Sequence, residues 1–515
     1  MGHSISKAYI PPPLSLRDCL IDGQIDLARY RLYSKRTYGD DFIDTDAMIN
    51  ERKRKAYDKP TGPKKRKRQK RSIKRHPILW STDDGNVRNV TFKDSTWYCL
   101  YICSPPEGER LNKLFRRRFR VPYSEFIKLA DEVIKHELFY RWTQNDCVGS
   151  RPSDYRLLLL GTLRYLGRSL TFDDIEEYTF ISGEVHRNFF SIFLEYGSTV
   201  LYKKHIIDPA SKMDTSLLEK LFKLAGLNGC LGSGDGTHVG MQQCPSWAMI
   251  NHKGFKLAIP SRNYNATVTH YHQILGTTCG HPGTWNDKTL VLFDELIRGV
   301  HEGKLYADHE FELYELDSDN NQIQVTYQGA WFIVDNGYLD WSCTVPPMKH
   351  PITYEEIRFS EWIESMRKDI ECTFGILKHR FAILKNGIRL GSISQCDQVW
   401  RTCCALHNRL LFIDGLDKGW DVGKKINDPD DLETDVPFAI DRLTNHPIQS
   451  NIVCPNKYPN RFFDKYTVNG KRKVSAMPLK VFQERLIHHF DIKFKNNDVQ
   501  WPKRTKDNSY SDMYD

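Results

Sequence analysis

A change of periodicity near residue 225 constrains the fold more than any other feature of the chain. Before it, apolar residues recur at helical spacing. "LNKLFRRRFRVPYSEFIKLADEVIKH" carries Phe126, Leu129, Val133 and Ile134 on one face, and "DYRLLLLGTLRYLG" reads as a core helix. Beyond it come short β-rich runs: "NGCLGSGDG", a strand ending in turn residues; "YNATVTHYHQILGTTCG"; and "QVTYQGAWFIVDNGY", with an apolar strand from Ala330 to Val334. "DKTLVLFDELIRGVHEG" reads as one helix. "EWIESMRKDIECTFGILKHRFAIL" is an amphipathic helix with Trp362, Met366, Ile370, Leu377 and Phe381 at helical spacing. Strands, helix, strand and helix in that order predict an α/β domain over 225–415, a mixed sheet flanked by helices. A helical region over 91–224 precedes it.

Within that helical region, three short helices with tight turns suggest a helix-turn-helix-like bundle. Thr171 and Asp174 form a capping-box pattern, and Ser182 is a candidate N-cap. The middle helix is acidic, so His186, Arg187 and Asn188 near the start of the third are the better candidates for touching DNA. A purely structural bundle is the alternative. The flanks read differently. Residues 1–90 look disordered and basic, and 416–515 look like a loop-rich extension with one helix, "PLKVFQERLIHHF".

The net charge of +9 is unevenly spread. Glu51 to His76 holds 14 Lys/Arg against 2 acids, or +12, so the remaining chain carries −3. "PKKRKRQKR" (Pro63 to Arg71), preceded by "RKRK" (Arg52 to Lys55), has the form of a nuclear localisation signal; such a run also attracts phosphates. No apolar run approaches a membrane span; the richest, Leu157 to Leu166, is interrupted by Arg164. The start lacks the apolar core of a secretory signal, although Gly2 and Ser6 fit the loose myristoylation pattern. Thirteen Cys with no C-x-x-C pair point to reduced, mostly buried thiols.

Three acids stand where chemistry is feasible. Asp235 and Asp335 follow apolar strand segments in "DGTH" and "DNGY". Glu371 lies on the amphipathic helix, with Arg367, Lys368, Gly375 and Lys378 around it. Three converging carboxylates suit Mg²⁺, a hard cation that prefers oxygen ligands. Phosphoryl transfer relies mainly on such metals and on Lys or Arg. The residues between Asp335 and Glu371 number 35, the D,D(35)E spacing of retroviral-integrase-like transposases.

Several blocks, taken in order, resemble PIF/Harbinger-type transposases: "GDGTHV", "NYNATVTHYHQILGTTCGHPGTWNDKTL", "FIVDNGY", "IECTFGILKHRFAIL" and "CCALHNRLL". "FRRRFRVPYSEF" and "RYLGRSLTFDDIEEYTFIS" resemble that family's N-terminal helical region, so the likeness runs from about 111 to 411. The resemblance implies an RNase H-like DDE nuclease with Asp235, Asp335 and Glu371 as catalytic metal ligands. It implies two Mg²⁺ (or Mn²⁺) ions, cleavage of double-stranded DNA at element ends and strand transfer into a target. It also implies a Myb/SANT-like accessory protein, and a homo-oligomer is expected; no membrane partner is. A domesticated DNA-binding protein that does not cut is the alternative. The segment Gly303 to Gln328 is longer than the family's usual connection.

Other residues keep two readings. Asp287 is either a helix N-cap or a site residue. His238 touches substrate or makes a structural hydrogen bond. His270 and His272 fit one face of a strand, and Cys404 with His407 fits a packed helix better than a metal site. Lys378 and Arg380 either contact DNA or solvate their helix. A dehalogenase-type phosphatase is excluded, because Ser233 stands where its nucleophilic Asp belongs, and the stretch fits neither nucleotide-binding glycine loop.

Overall fold

The structure, a computed structural model, describes residues 91–145, 152–425, 471–474 and 477–504, with two-residue strands at 20–21, 24–25, 80–81, 87–88 and 467–468. The basic run, the pattern at Gly2 and Ser6 and, apart from those short strands, the segment 1–90 expected to be disordered lie outside the described residues.

The helical region holds α1 (Gly108–Phe119), α2 (Tyr123–Lys135), α3 (Tyr155–Arg168), α4 (Phe172–Thr179) and α5 (Gly183–Tyr196). α4 opens on the expected capping box: Asp174 N donates to Thr171 Oγ1 (3.1 Å), and Thr171 N donates to Asp174 Oδ2 (2.8 Å). Ser182 is the N-cap residue of α5 but makes no capping bond. The orphan Gly183 N–H is instead satisfied by Glu176 Oε2 at 2.7 Å. Leu157 to Leu160, Leu163 and Leu166 are all buried, so α3 is the core helix its composition predicts. α6 (Thr215–Leu224) leads into the sheet.

The strands follow as β1 (Cys230–Gly240), β2 (Ser261–Val268), β3 (Ile274–Thr277), β4 (Glu310–Leu316), β5 (Gln322–Gln328), β6 (Trp331–Ile333) and β7 (Thr344–Val345). The main sheet has the order β7-β6-β1-β2-β3. β1, β2 and β3 pair antiparallel, while β6 is parallel to both β1 and β7. The fold is therefore mixed α/β.

Three local expectations change. First, "GSGDG" is not a turn, because β1 runs through it for 11 residues. Its glycines allow strands to approach closely: a Cβ on Gly232 would lie 2.5 Å from Val268 O, a backbone atom that cannot step aside cheaply. Gly232→Ala is expected to destabilise the protein by about 1–3 kcal/mol in chemical denaturation; an unchanged midpoint would refute this packing argument. Second, the single helix predicted after residue 286 is broken into α7 (Asp287–Leu290), a 3₁₀ turn and α8 (Glu295–His301). Buried Asp294 restarts it, accepting from Ile297 N at 2.9 Å and from Asn265 Nδ2 at 2.7 Å. Third, His270 and His272 lie not on a strand face but in the turn after β2, where His272 takes φ 69°.

α9 (Tyr354–Arg380) crosses the sheet and is capped by Thr353 and Glu356, with Glu356 N donating to Thr353 Oγ1 at 3.2 Å. Its buried face carries Trp362, Met366, Ile370 and Leu377, as their spacing predicts. Burying each such side chain stabilises by roughly 1.5–3 kcal/mol. α10 (Ala382–Asn386) and α11 (Ile393–Ile413) follow.

Core packing crosses residue 225: one apolar cluster runs from Trp97 and α3 through Tyr264 to Leu377 and Trp400. It crosses residue 415 as well. β8 (Trp420–Lys425) pairs with β10 (Gln500–Arg504), and β9 (Lys471–Lys473) adds to β5. α12 (Leu479–Lys495) packs on α9 and β4, placing Phe482 and Phe490 in a second cluster with Phe222, Trp331 and Trp362. The long connection Gly303 to Gln328 is the β4–β5 hairpin that this C-terminal chain extends. The cysteines of the described residues are free thiols. No helix among the described residues is long and apolar enough to cross a membrane.

Candidate active site

Strand register brings the first two acids together. Ile333 of β6 pairs with Ser233 of β1 in parallel. Asp335 and Asp235 each lie two residues further on, so they occupy matching positions on neighbouring chains, on the face set by the period of two. Asp235 is thus inside its strand rather than past it, paired with Ala266, while Asp335 follows the end of β6. Each carboxylate accepts from a nearby glycine N–H: Asp235 Oδ1 from Gly236 N at 2.7 Å and Asp335 Oδ1 from Gly337 N at 2.8 Å.

Asp287 joins them. The N-cap of α7 is Asn286, whose Oδ1 accepts from Thr289 N at 3.0 Å, so Asp287 is left to face inward. A Cβ on Gly236 would lie 2.8 Å from Asp287 Oδ1. One on Gly337 would lie 2.9 Å from Asp335 Oδ1 and 3.0 Å from Asp287 Oδ2. These glycines therefore give the carboxylates room to gather. Burial pushes the Asp235 carboxyl up to about 6. The Gly236 N–H and Arg367 oppose the rise, and the charges of Asp335 and Asp287 add to it. Asp287 is raised too, by burial and then by Asp335. Buried Tyr338, three residues after Asp335, donates to Asn265 Oδ1 beside this cluster. Burial and then the surrounding aspartates push its phenol well above its usual range.

Glu371 reaches the others only through Arg367. The guanidinium lies 3.2 Å from Asp235 Oδ2, 3.1 Å from Glu371 Oε1 and 2.8 Å from Glu364 Oε1. Burial works against its charge, but Glu364, Asp235 and Glu371 hold it protonated. The Glu371 side chain is 52% exposed. Among the described residues, no group of three His, Cys, Asp or Glu side chains is gathered as a metal site, and Arg367 supplies the local positive charge. The donor chemistry nevertheless fits a hard divalent cation. The cluster offers only carboxylate oxygens, and the raising of both Asp235 and Asp287, to which the charge of Asp335 adds in each case, marks a surplus of negative charge that a cation would relieve.

The other candidates sit elsewhere. Arg380 is a correction: its side chain is 0% exposed, paired with Asp414 Oδ2 at 2.9 Å and donating to His407 O at 3.2 Å. It neither solvates its helix nor faces DNA. Lys378 Nζ donates to Thr237 Oγ1 (2.8 Å) and His238 O (3.2 Å), tying α9 to β1, and its burial lowers its pKa. Arg187 is exposed but paired with Glu184 at 2.6 Å. Asn188 is exposed and donates to the same Glu184, whereas His186 is buried against Thr179 Oγ1 at 2.8 Å and is not poised to read bases. His238 shares a hydrogen bond with Ser261 Oγ at 3.1 Å, the structural reading. His270 pairs with Asp369 (2.7 Å), His272 with Thr373 Oγ1 (3.1 Å), and His407 with His272 O (2.9 Å); all three brace the packing around α9. Sequence reading missed the roles of Arg367 and Tyr338. Their only signals were Arg367 one turn before Glu371 and the Tyr of "DNGY".

Comparison with curated proteins and with solved structures finds no match. A family model described as plant transposon protein matches residues 204–415. The segment that carries Asp235, Asp287, Asp335 and Glu371 is therefore similar to plant transposon proteins.

Proposed function

We propose that the chain is a divalent-metal-dependent DNA endonuclease of transposase type, of the PIF/Harbinger kind, that cuts element ends and joins them to target DNA by phosphoryl transfer. The observation that carries this is the matching register of Asp235 and Asp335 on adjacent parallel strands, with Glu371 linked to Asp235 through Arg367. An antiparallel meander joined to parallel strands, with α9 across it, supports an RNase H-like reading of the sheet.

Asp235, Asp335 and Glu371 would hold Mg²⁺ or Mn²⁺, with Asp287 beside them. Bound ions of this kind activate water and stabilise the leaving oxygen of a phosphodiester. Arg367 now offsets Asp235 and Glu371, and once released from them it would meet the substrate phosphate. The glycine N–H groups at 236 and 337 fix the orientation of the two aspartates. Double-stranded DNA is the proposed substrate and the nucleus the proposed compartment. A Myb/SANT-like accessory protein and self-association are proposed partners.

Nicking of DNA bearing the source element's ends, with Mn²⁺ and any required accessory protein supplied, tests this reading. Wild type is expected to cut, and Asp235→Asn, Asp335→Asn and Glu371→Gln are not. Undiminished cutting by these variants would remove the triad. DNA binding without cutting by wild type would favour a domesticated binding protein. Replacing Lys64 to Lys67 by Ala is expected to abolish nuclear accumulation in imaging; unchanged accumulation would reject this run as the import signal.

A further inference from the structure

The chain between β1 and β2, Met241 to Pro260, has features the proposed triad does not use. Its base is pinned: Met241 N donates to Pro260 O at 2.8 Å, and Thr284 Oγ1 donates to Asn251 O at 2.8 Å. His252 is fully buried, bonded to Ala248 O (2.9 Å) and to Arg262 Nη1 (3.1 Å), and Arg262 is in turn locked to Asp397 at 2.6 Å. The tip is the reverse. Phe255 is 95% exposed and Ile250 85%, with Trp247 also exposed. Lys253 and Lys256 flank Phe255, and the 20 residues contain no Asp or Glu. Gly254 lies against the backbone of Gly283, where an added Cβ would lie 2.5 Å from Gly283 O, and Thr284, three residues before Asp287, holds Asn251, which places this basic tip beside the acid cluster.

An aromatic ring held out from an anchored base costs apolar exposure, so it calls for a surface that covers it. Lysines on both sides of the ring select a polyanion. A base offers a π-face to the ring, while its phosphates meet the lysines. We propose that this loop is a DNA-gripping wedge in which Phe255 stacks on an unpaired base next to the scissile phosphate and Lys253 and Lys256 hold the flanking backbone. This inference rests on the nuclease reading of the neighbouring acids and adds how the substrate is held.

The test uses the full chain with Ca²⁺ and two probes, an intact DNA duplex and the same duplex with a short unpaired gap containing 2-aminopurine. Wild type is expected to favour the gapped probe and to change its 2-aminopurine fluorescence. Phe255→Ala is expected to lose that fluorescence change and roughly tenfold to a hundredfold in affinity for the gapped probe. Phe255→Trp is expected to restore both. Lys253→Ala with Lys256→Ala is expected to weaken binding to both probes and to lower the salt slope by about 2. If wild type binds DNA and Phe255→Ala matches it on both probes, this inference falls while the nuclease reading stands. Altered self-association of Phe255→Ala in sedimentation, with DNA affinity intact, also overturns it and makes the tip a protein contact. Failure of wild type to bind either probe, or to cut with Mn²⁺, with any required accessory protein supplied, overturns both.

Discussion

Nicking by the Asp335→Asn protein is expected to fall by about a thousandfold, because on the proposed function it loses a metal-ligating charge, which removes several kcal/mol of transition-state stabilisation, and each 1.36 kcal/mol is a factor of ten. The substitution is isosteric, and the amide oxygen can still accept from Gly337 N, so the local backbone has no reason to move. The melting temperature is expected to stay the same or rise. Asp335 raises the pKa of both Asp235 and Asp287, which means that the three repel one another in the folded protein, and removing one charge relieves this. Lost activity with retained or increased stability is the signature of a site that carries strain for function. A variant that loses activity only because it unfolds would contradict the account.

Arg380→Ala is expected to have the opposite profile. Neither its side chain nor that of Asp414 is exposed. Truncation leaves the Asp414 carboxylate buried beside Arg116 and deprives His407 O of a donor. Breaking a buried pair in this way costs about 3–5 kcal/mol, to be read from guanidinium denaturation followed by tryptophan fluorescence. DNA affinity is expected to fall only with the unfolded fraction. A fully folded Arg380→Ala protein that binds DNA poorly would return Arg380 to the DNA-contact role. Replacing both partners, Arg380→Met with Asp414→Leu, is expected to recover part of the loss.

The contrast between Arg380 and Glu371 shows where the sequence was legible. Both sit on α9, whose buried face was readable from its apolar spacing, although the Thr353 and Glu356 cap starts the helix at Tyr354, seven residues before the stretch "EWIESMRK" that the spacing marks. Spacing along one helix reveals which residues share a face but not what covers that face. Glu371 happens to look toward the sheet edge through Arg367, while Arg380, more than two turns on, is closed over by α11 and Asp414. The α/β order was readable because strand and helix periods differ. The path of β1 was not, because "GSGDG" has the composition of a turn, and only the closeness of Val268 O to Gly232 and of Asp287 to Gly236 explains two of its glycines. Asp287 stayed ambiguous because Asn286 and Asp287 are equally good caps, and only the geometry assigns the cap to Asn286. The docking of α12 was invisible, since its apolar face and that of α9 lie more than a hundred residues apart.

That docking sets an order of events during synthesis. Trp362 donates its indole N–H to Ala225 O and packs near Phe490 and Trp501, so part of its cover is translated more than a hundred residues after it. A nascent chain that has passed residue 415 already contains every proposed catalytic acid, yet the apolar flank of α9 is only partly closed until α12 and β10 leave the ribosome. Ribosome-bound intermediates of this length would carry an exposed tryptophan-rich surface and depend on chaperones. The packing around Trp362 is closed only after β10 is made.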